Sequence, residues 1–203
     1  MPKPTVQQIV LPVKDQQVQR LIEQTLLNGS KAGRRNYTIW RVGVKTMLRV
    51  SDVLNLRKAD VFNPDGTVVS ELRTTDIKTG KVNRPFIAKA ALELERYHDW
   101  LDEQGIISEW LFPSLEDHNK AISTKMFYKV MRQTGDLLNV PYLGTHSMRK
   151  TGAYQAYEQS GHDIAFVMML LNHSSQAMTL KYLGLDRETL NEKMAGLDFG
   201  SVL

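Results

Sequence analysis

The hydrophobic period changes partway along the chain, and this change limits the possible folds more than any other feature. Apolar residues recur at helical spacing before Leu56 and again after Ala90. Between these parts, residues 67–87 carry short runs of valine, leucine and threonine, with turn signals at 64–66 and 78–81. We therefore predict an α+β fold, mainly α-helical, with a small antiparallel β-sheet of about three strands near residues 67–87.

Helical spacing, with its start and stop signals, predicts nine helices over the rest of the chain. They cover residues 14–27, 36–48, 51–56, 90–104, 123–138, 149–159, 163–171, 175–183 and 187–194. The three prolines among residues 1–13 indicate an extended N-terminal arm. We expect residues 187–203 to form a C-terminal tail. A chain of 203 residues that is 42% hydrophobic can bury one core but not two, so we expect residues 1–203 to form a single domain.

Composition excludes several classes of protein. The absence of cysteine excludes disulfides and thiolate metal sites. No run approaches the ~20 apolar residues of a membrane span, and the first five residues lack the apolar region of a signal peptide. No pair among the five histidines has the spacing of helical zinc ligands. We therefore expect a cytoplasmic protein with no metal site and no membrane partner.

Positive charge is concentrated in the first half of the chain. Residues 1–90 hold 16 lysines and arginines against 7 aspartates and glutamates, whereas residues 91–203 hold 10 against 15. A basic region is typical of a surface that binds a phosphate backbone, and a solvated charged surface is the alternative. The residues that we expect to bind DNA are Arg34, Arg35, Lys45, Lys81, Arg84, Lys125, Lys129 and Lys150.

Four side chains suit the breaking of a phosphodiester bond without a metal. Phosphoryl transfer develops negative charge on phosphate oxygens, and the planar guanidinium groups of Arg49 and Arg149 can each grip two of them. The hydroxyl of Tyr182 can act as a nucleophile, and the resulting phosphotyrosine preserves the energy of the broken bond for rejoining. Lys78, at the predicted hairpin tip, can protonate the leaving 5′-oxygen, with Lys81 as the competing lysine.

Five segments resemble the sequence boxes of the tyrosine recombinase, or phage integrase, family, and they occur in the family's order. They are Leu48-Arg49-Val50-Ser51-Asp52-Val53-Leu54-Asn55-Leu56, Ile77-Lys78-Thr79-Gly80-Lys81, Trp110-Leu111-Phe112-Pro113-Ser114, His146-Ser147-Met148-Arg149, and Leu171-Asn172-His173-Ser174-Ser175 with Thr179 and Tyr182. Each box alone is a weak signal, but the ordered set covers residues 34–183 and is a strong one. The resemblance implies a site-specific DNA recombinase of integrase or resolvase type, belonging to a mobile genetic element, that works through a covalent 3′-phosphotyrosyl intermediate.

The resemblance also implies a complete catalytic set and no cofactor. It implies that His146 is a proton acceptor or hydrogen-bond donor and that His173 donates to a non-bridging phosphate oxygen. The implied set is Arg49, Lys78, His146, Arg149, His173 and Tyr182. The implied partner is double-stranded DNA with paired half-sites, on which a homo-oligomer assembles. A topoisomerase-like DNA nickase and a non-catalytic DNA-binding accessory protein are the alternatives.

The chain departs from the family pattern in three places. Asn172 stands where the family usually has glycine, and Met47 stands where a glycine often precedes the leucine and arginine of the first box. Neither position supplies a catalytic group, so we expect local backbone adjustment without loss of activity. Too few residues precede Arg34 to build the family's N-terminal core-binding domain. We therefore expect a short form, and residues 187–203 are a candidate segment for docking on a neighbouring protomer.

Overall fold

The computed structural model describes residues 10–75, 80, 82–185 and 194–195, and within them the chain is mainly helical. The α-helices are α1 (Gln16–Asn28), α2 (Gly33–Thr46), α3 (Val50–Leu54), α4 (Lys58–Val61), α5 (Ala91–Glu103), α6 (Thr124–Leu137), α7 (Ser147–Gln159), α8 (Ile164–Leu171) and α9 (Gln176–Tyr182). A 3₁₀ turn, Ala88–Ala90, leads into α5. Among the described residues, none of these helices has the length and apolar character that a membrane crossing requires.

Most of the predicted helices are present. Eight of the nine are found, with ends displaced by at most three residues. The ninth, at 187–194, lies outside the described residues except for Met194. Helix α4 has four residues and was not predicted, because so short a helix carries no hydrophobic period. Helix α2 ends two residues before the predicted boundary because Met47 turns into a left-handed conformation.

Helix α2 is packed against α1, α5 and α7. Its Ile39, Trp40 and Val42 are fully buried in the main core. Its contact with α7 is close because a glycine lies in it: a side chain at Gly152 would overlap the carbonyl oxygen of Val44. This packing holds the first turns of α7 beside the C-terminal end of α2.

A second, smaller core joins α7, α8 and α9. Ala153 of α7, Val167 and Leu171 of α8, and Leu183 after α9 are buried together. A helix of seven residues such as α9 is too short to be stable alone, so its position depends on this packing. The second core therefore holds the end of α9 close to α7.

The prediction of a three-stranded sheet is wrong. In the described part of the chain, the sheet consists of β1 (Thr74–Thr75) and β2 (Val82–Asn83), which pair antiparallel over two residues each. Nearby pairing is limited to single bridges, such as that between Glu71 and Phe86.

The exposure of side chains in the described part of this segment explains the missing strands. Leu72 and Ile87 are fully buried, but Val82 and Phe86 are 72% and 50% exposed. A β-ladder is stabilised mainly by the burial of one face, so exposed positions such as Val82 and Phe86 do not sustain a longer one. The short runs of β-branched residues were therefore a misleading signal.

Candidate active site

Arg149 lies in the first turn of α7 with only 4% of its surface exposed. One terminal nitrogen of its guanidinium donates to the carbonyl oxygen of Met47, and the other donates to that of Leu171 at 2.9 Å. These carbonyls lie at the C-terminal ends of α2 and α8, where the helix dipole places partial negative charge. Burial lowers the pKa of Arg149, but an arginine remains charged at neutral pH. The positive charge is therefore held at a fixed position.

Two left-handed residues form these helix ends. Met47 ends α2 with φ 53° and ψ 24°, and Asn172 ends α8 with φ 56° and ψ 40°. Glycine adopts this conformation at the lowest cost, and these are the two positions where the family resemblance expects glycine. Met47 and Asn172 adopt the left-handed turn that glycine would adopt, so their backbones carry the conformational strain that glycine would avoid. The prediction that activity is retained stays a prediction.

Arg49 is the residue at the N-cap of α3, directly after the left-handed turn of α2. Burial is the largest influence on the pKa values of Tyr182, His173 and Arg149, and the charge of Arg49 also acts on all three. Asp52, which is 5% exposed, acts on Arg149 with the opposite sign. Arg49 therefore lies within electrostatic range of the other site residues.

Tyr182 is the last residue of α9, and its phenol lies within electrostatic range of the Arg149 guanidinium. Burial raises the pKa of its phenol, and the charges of Arg149 and Arg49 partly offset this effect. The phenol is consequently neutral at neutral pH. It can become a nucleophile only if its proton is removed as it reacts.

His173 follows α8 and lies beside Tyr182. The two rings are edge-on, with centroids 5.2 Å apart and an interplanar angle of 85°. Nδ1 of His173 lies 3.0 Å from the hydroxyl oxygen of Thr179, and that hydroxyl donates to the carbonyl oxygen of Ser175 at 3.1 Å. Burial, followed by the charges of the two arginines, lowers the pKa of His173 to about 4. Its imidazole is therefore neutral at neutral pH.

Of the other two predicted catalytic residues, only His146 lies among the described residues. His146 is exposed at the N-cap of α7, just before the turn that carries Arg149. Lys78 lies outside the described residues, and so does its competitor Lys81. The structure brings together four of the six predicted side chains: Arg49, Arg149, His173 and Tyr182. Among the described residues, no group of three or more histidine, aspartate or glutamate side chains is placed to hold a metal ion.

Two of the predicted DNA contacts on α2 are engaged within the protein. Arg35 is 5% exposed and donates to the carbonyl oxygen of Pro113 at 2.8 Å. The prediction is wrong for Arg35, because a buried guanidinium that ties α2 to a distant segment cannot contact DNA. Lys45 forms an ion pair with Glu93 at 2.7 Å. Neither role could be read from local sequence, since each partner lies far away in the chain.

The other predicted DNA contacts differ in exposure. Arg84, Lys125 and Lys129 are exposed, whereas Arg34 and Lys150 are half-buried. Exposure is compatible with phosphate contact, so the role of the first three stays a prediction. Lys150 has a different environment, because its ammonium group lies over the ring of Tyr182.

Sequence reasoning missed two contributors to the site. It gave no role to Thr179, although this residue precedes Tyr182 by three positions and so lies on the same face of a helix. It also missed the backbone carbonyls of Met47 and Leu171, which hold Arg149. A carbonyl has no residue-type signature, so only the two left-handed turns could have indicated them.

Comparison with known proteins identifies relatives along nearly the whole chain. The model of the Phage integrase family matches residues 13–189. The probable integrase/recombinase YoeC of Bacillus subtilis (strain 168) is 34% identical over 181 residues, which cover 89% of this chain and 93% of that protein.

Solved structures share the fold at low sequence identity. The site-specific recombinase XerH, bound to its palindromic difH substrate, has a TM-score of 0.69 at 18% identity, and the match covers 97% of this chain. XerA recombinase has a TM-score of 0.65 at 22% identity, with 98% of this chain covered and 68% of XerA. A lambda integrase dimer bound to a COC′ core site has a TM-score of 0.65 at 17% identity, over 99% of this chain. The chain spans about half the length of two of these structures, 55% of XerH and 52% of lambda integrase.

Proposed function

Because the chain belongs to the phage integrase family of tyrosine recombinases, we propose that it is a site-specific DNA recombinase with Tyr182 as its nucleophile. The observation that carries this proposal is the proximity of the Tyr182 phenol to the buried guanidinium of Arg149, whose charge acts on that phenol. Arg49 adds a second positive charge within electrostatic range of the phenol. A phosphate placed against these two cations would have its phosphorus next to the phenolic oxygen.

In the proposed step, the oxygen of Tyr182 attacks the phosphorus of a DNA phosphodiester. A bond forms between this oxygen and phosphorus while the bond from phosphorus to the 5′-oxygen breaks, which leaves a 3′-phosphotyrosyl enzyme and a 5′-hydroxyl end. The phenol loses one proton and the leaving oxygen gains one. Since one phosphoester bond replaces another, attack by the 5′-hydroxyl of a different strand reverses the step and joins new ends.

We propose that the two arginines supply the charge stabilisation, so that no metal is required. Two N–H groups of Arg149 are occupied by the carbonyls of Met47 and Leu171. A guanidinium has five N–H donors, so others remain for the phosphate. Charges that are already fixed in place need no rearrangement as negative charge develops in the transition state.

The hydrogen bonds around His173 bear on the proton of Tyr182. The hydroxyl of Thr179 has one proton, which the Ser175 carbonyl accepts. The contact between Thr179 and Nδ1 of a neutral His173 then requires Nδ1 to be the donor, which leaves Nε2 as an acceptor. In this state His173 can accept the phenolic proton. The donor role that the resemblance implies requires Thr179 to turn its hydroxyl towards Nδ1, and in that case His146 takes the proton.

Covalent trapping tests the proposed chemistry. The substrate is a nicked suicide duplex that carries the target site, once inverted repeats flanking a spacer have been identified in the DNA around the gene, so that the short cleaved strand diffuses away. We expect a covalent protein–DNA band in the presence of EDTA and none for Tyr182→Phe. A band with Tyr182→Phe would contradict the assignment of the nucleophile, and a strict requirement for Mg²⁺ would contradict metal independence. Lys78→Ala tests the general acid, because a 5′-bridging sulfur leaves without protonation and should restore cleavage.

We propose further that several copies of the chain assemble on paired half-sites of double-stranded DNA. An open groove of about 790 Å³ lies beside α7 and α8. Phe166 and Met169, which line it, are 42% and 79% exposed. Arg84 and Lys89, which are also exposed, add positive charge to the groove.

The C-terminal tail has the composition to occupy this groove on a neighbouring copy. Residues 187–203 include the apolar Leu190, Leu197 and Phe199, together with three acidic and two basic residues. Their apolar pattern matches the aromatic and methionine side chains of the groove, and their net negative charge is opposite to its basic lining. This pairing supports assembly through the tail.

A further inference from the structure

The ammonium group of Lys150 is held between the protein backbone and the ring of Tyr182. Its Nζ lies 4.9 Å from the centroid of that ring and donates to the carbonyl oxygen of Val10 at 2.8 Å. The side chain is half-buried. Burial, followed by the charge of Lys181, lowers the pKa of Lys150. These contacts differ from those of a lysine that extends into solvent to meet a phosphate.

Residues 10–15, which we call the N-terminal strap, fix the carbonyl that Lys150 contacts. The backbone N–H of Val13 donates to the hydroxyl of Thr151 on α7 at 2.9 Å. The ammonium of Lys14 donates to the carbonyl oxygen of Gly184, just after α9, at 3.1 Å. The N-terminal strap thus touches both the helix that carries Lys150 and the end of the helix that carries Tyr182. Lys150 lies between them.

A cation over an aromatic face attracts the electron-rich ring, and the attraction is stronger when the cation is partly removed from water. Tyr182 is the last residue of a seven-residue helix, where a side chain has few neighbours within its own helix. The guanidinium of Arg149 lies near its hydroxyl, and His173 lies edge-on to its ring. The ammonium of Lys150 adds a contact on the face of the ring.

We propose that Lys150 is a positioning residue for Tyr182: it links the Val10 carbonyl of the N-terminal strap to the face of the tyrosine ring and so holds the phenol in line for attack. The inference rests on the proposed role of Tyr182 as the nucleophile. It replaces the expectation that Lys150 binds DNA. A lysine that binds phosphate contributes to DNA affinity, whereas a positioning lysine contributes to the rate of the chemical step once DNA is bound.

Three variants separate these roles. Lys150→Met keeps the length of the side chain but removes its charge, and Lys150→Arg restores a cation. Lys181→Met is the matched control, because it removes an exposed ammonium from the residue beside Tyr182. For each we would measure DNA affinity by gel shift, and the single-turnover rate of covalent adduct formation at saturating suicide duplex across pH 6–9. Hydrogen exchange of the α9 amides would be measured without DNA.

We expect Lys150→Met to slow adduct formation by about 2- to 30-fold, the range of a partly desolvated cation–π contact. DNA affinity should be unchanged, α9 amides should exchange faster, and Lys150→Arg should recover most of the rate. Lys181→Met should behave as the wild type in rate and in exchange. Loss of DNA affinity in Lys150→Met at an unchanged saturated rate would overturn the inference, and so would an equal loss of rate in Lys181→Met. If the wild type forms no adduct, the proposed function fails, while faster α9 exchange in Lys150→Met would still support the contact.

Discussion

At the scale of single residues, the protonation of His173 links the site to the stability of the fold. Its pKa is lowered to about 4 in the folded protein, chiefly by burial, whereas an unfolded histidine titrates near 6.5. Between these values the unfolded chain binds more protons than the folded one, so stability falls as the pH is lowered from about 6.5 to about 4. Above about pH 6.5, His173 is neutral in both the folded and the unfolded chain, so its protonation no longer lowers the stability.

We therefore expect the free energy of unfolding to decrease across this window by on the order of 1–2 kcal/mol more in the wild type than in His173→Gln. Urea unfolding followed by circular dichroism at several pH values measures this difference. His162→Gln, at an exposed histidine, serves as the comparison. Parallel pH dependence in the wild type and His173→Gln would contradict the expectation.

The hydroxyl of Thr179 is expected to affect catalysis through the ring of His173. Thr179→Val preserves shape but removes the contact at 3.0 Å, so we expect adduct formation to slow by about 2- to 12-fold, as for the loss of one hydrogen bond. DNA affinity should not change. Thr38→Val is the matched control, because Thr38 is also fully buried and also donates to the carbonyl four residues earlier. If both variants cleave at the same rate, Thr179 does not act through His173.

At the scale of secondary-structure elements, the C-terminal ends of α2 and α8 serve the site directly. The carbonyl that each end leaves without a helical partner accepts a hydrogen bond from Arg149. The left-handed residues Met47 and Asn172 terminate the two helices at these carbonyls. The turns that end the two helices therefore also hold the charge of Arg149 in place.

A substitution at one of these turns should affect stability and catalysis together. Asn172→Val places a β-branched residue at φ 56°, so we expect a loss of about 1–2 kcal/mol in the free energy of unfolding. We also expect cleavage to slow by about 10-fold, because the neighbouring Leu171 carbonyl orients Arg149. Asn139→Val is the control, since Asn139 is exposed at φ 55° after α6. It should lose similar stability and cleave normally, and slow cleavage in both variants would contradict the link to Arg149.

At the scale of the whole molecule, the proposed assembly on DNA depends on the groove beside α7 and α8 and on residues 187–203. A tail that binds a neighbouring copy makes the second half-site easier to occupy than the first, because the two binding events are then linked. Within one protomer, the fold does not require this contact, since the two cores are formed by residues 13–183.

We expect truncation after Asp186 to leave the fold intact and to remove cooperativity on paired half-sites. Met169→Glu should have the same effect, since it places a charge on the exposed apolar lining of the groove. Ile107→Glu is the matched control, at an apolar residue that is 89% exposed and does not line the groove. Gel shifts on one and on two half-sites measure the effect. Equal affinity per half-site for intact and truncated protein would contradict assembly through the tail.

The sequence by itself located most of the helices and indicated the chemistry. Helical period is a local property, so eight helices could be located to within three residues. Few types of side chain can catalyse phosphoryl transfer. Arg49, Arg149, His173 and Tyr182 could therefore be named from their sequence boxes before any geometry was known. The predicted sheet failed because burial, on which a β-ladder depends, is not a local property.

Only the tertiary structure decided what each polar group contacts. Arg35 donates to a carbonyl 78 positions away and Lys45 pairs with a glutamate 48 positions away, so no local pattern could reveal these partners. The same holds for Lys150, whose carbonyl partner lies 140 positions earlier. Burial and the two arginines set the charge state of His173. Desolvation and charge pairing depend on distances in space, and these exist only once the helices have packed.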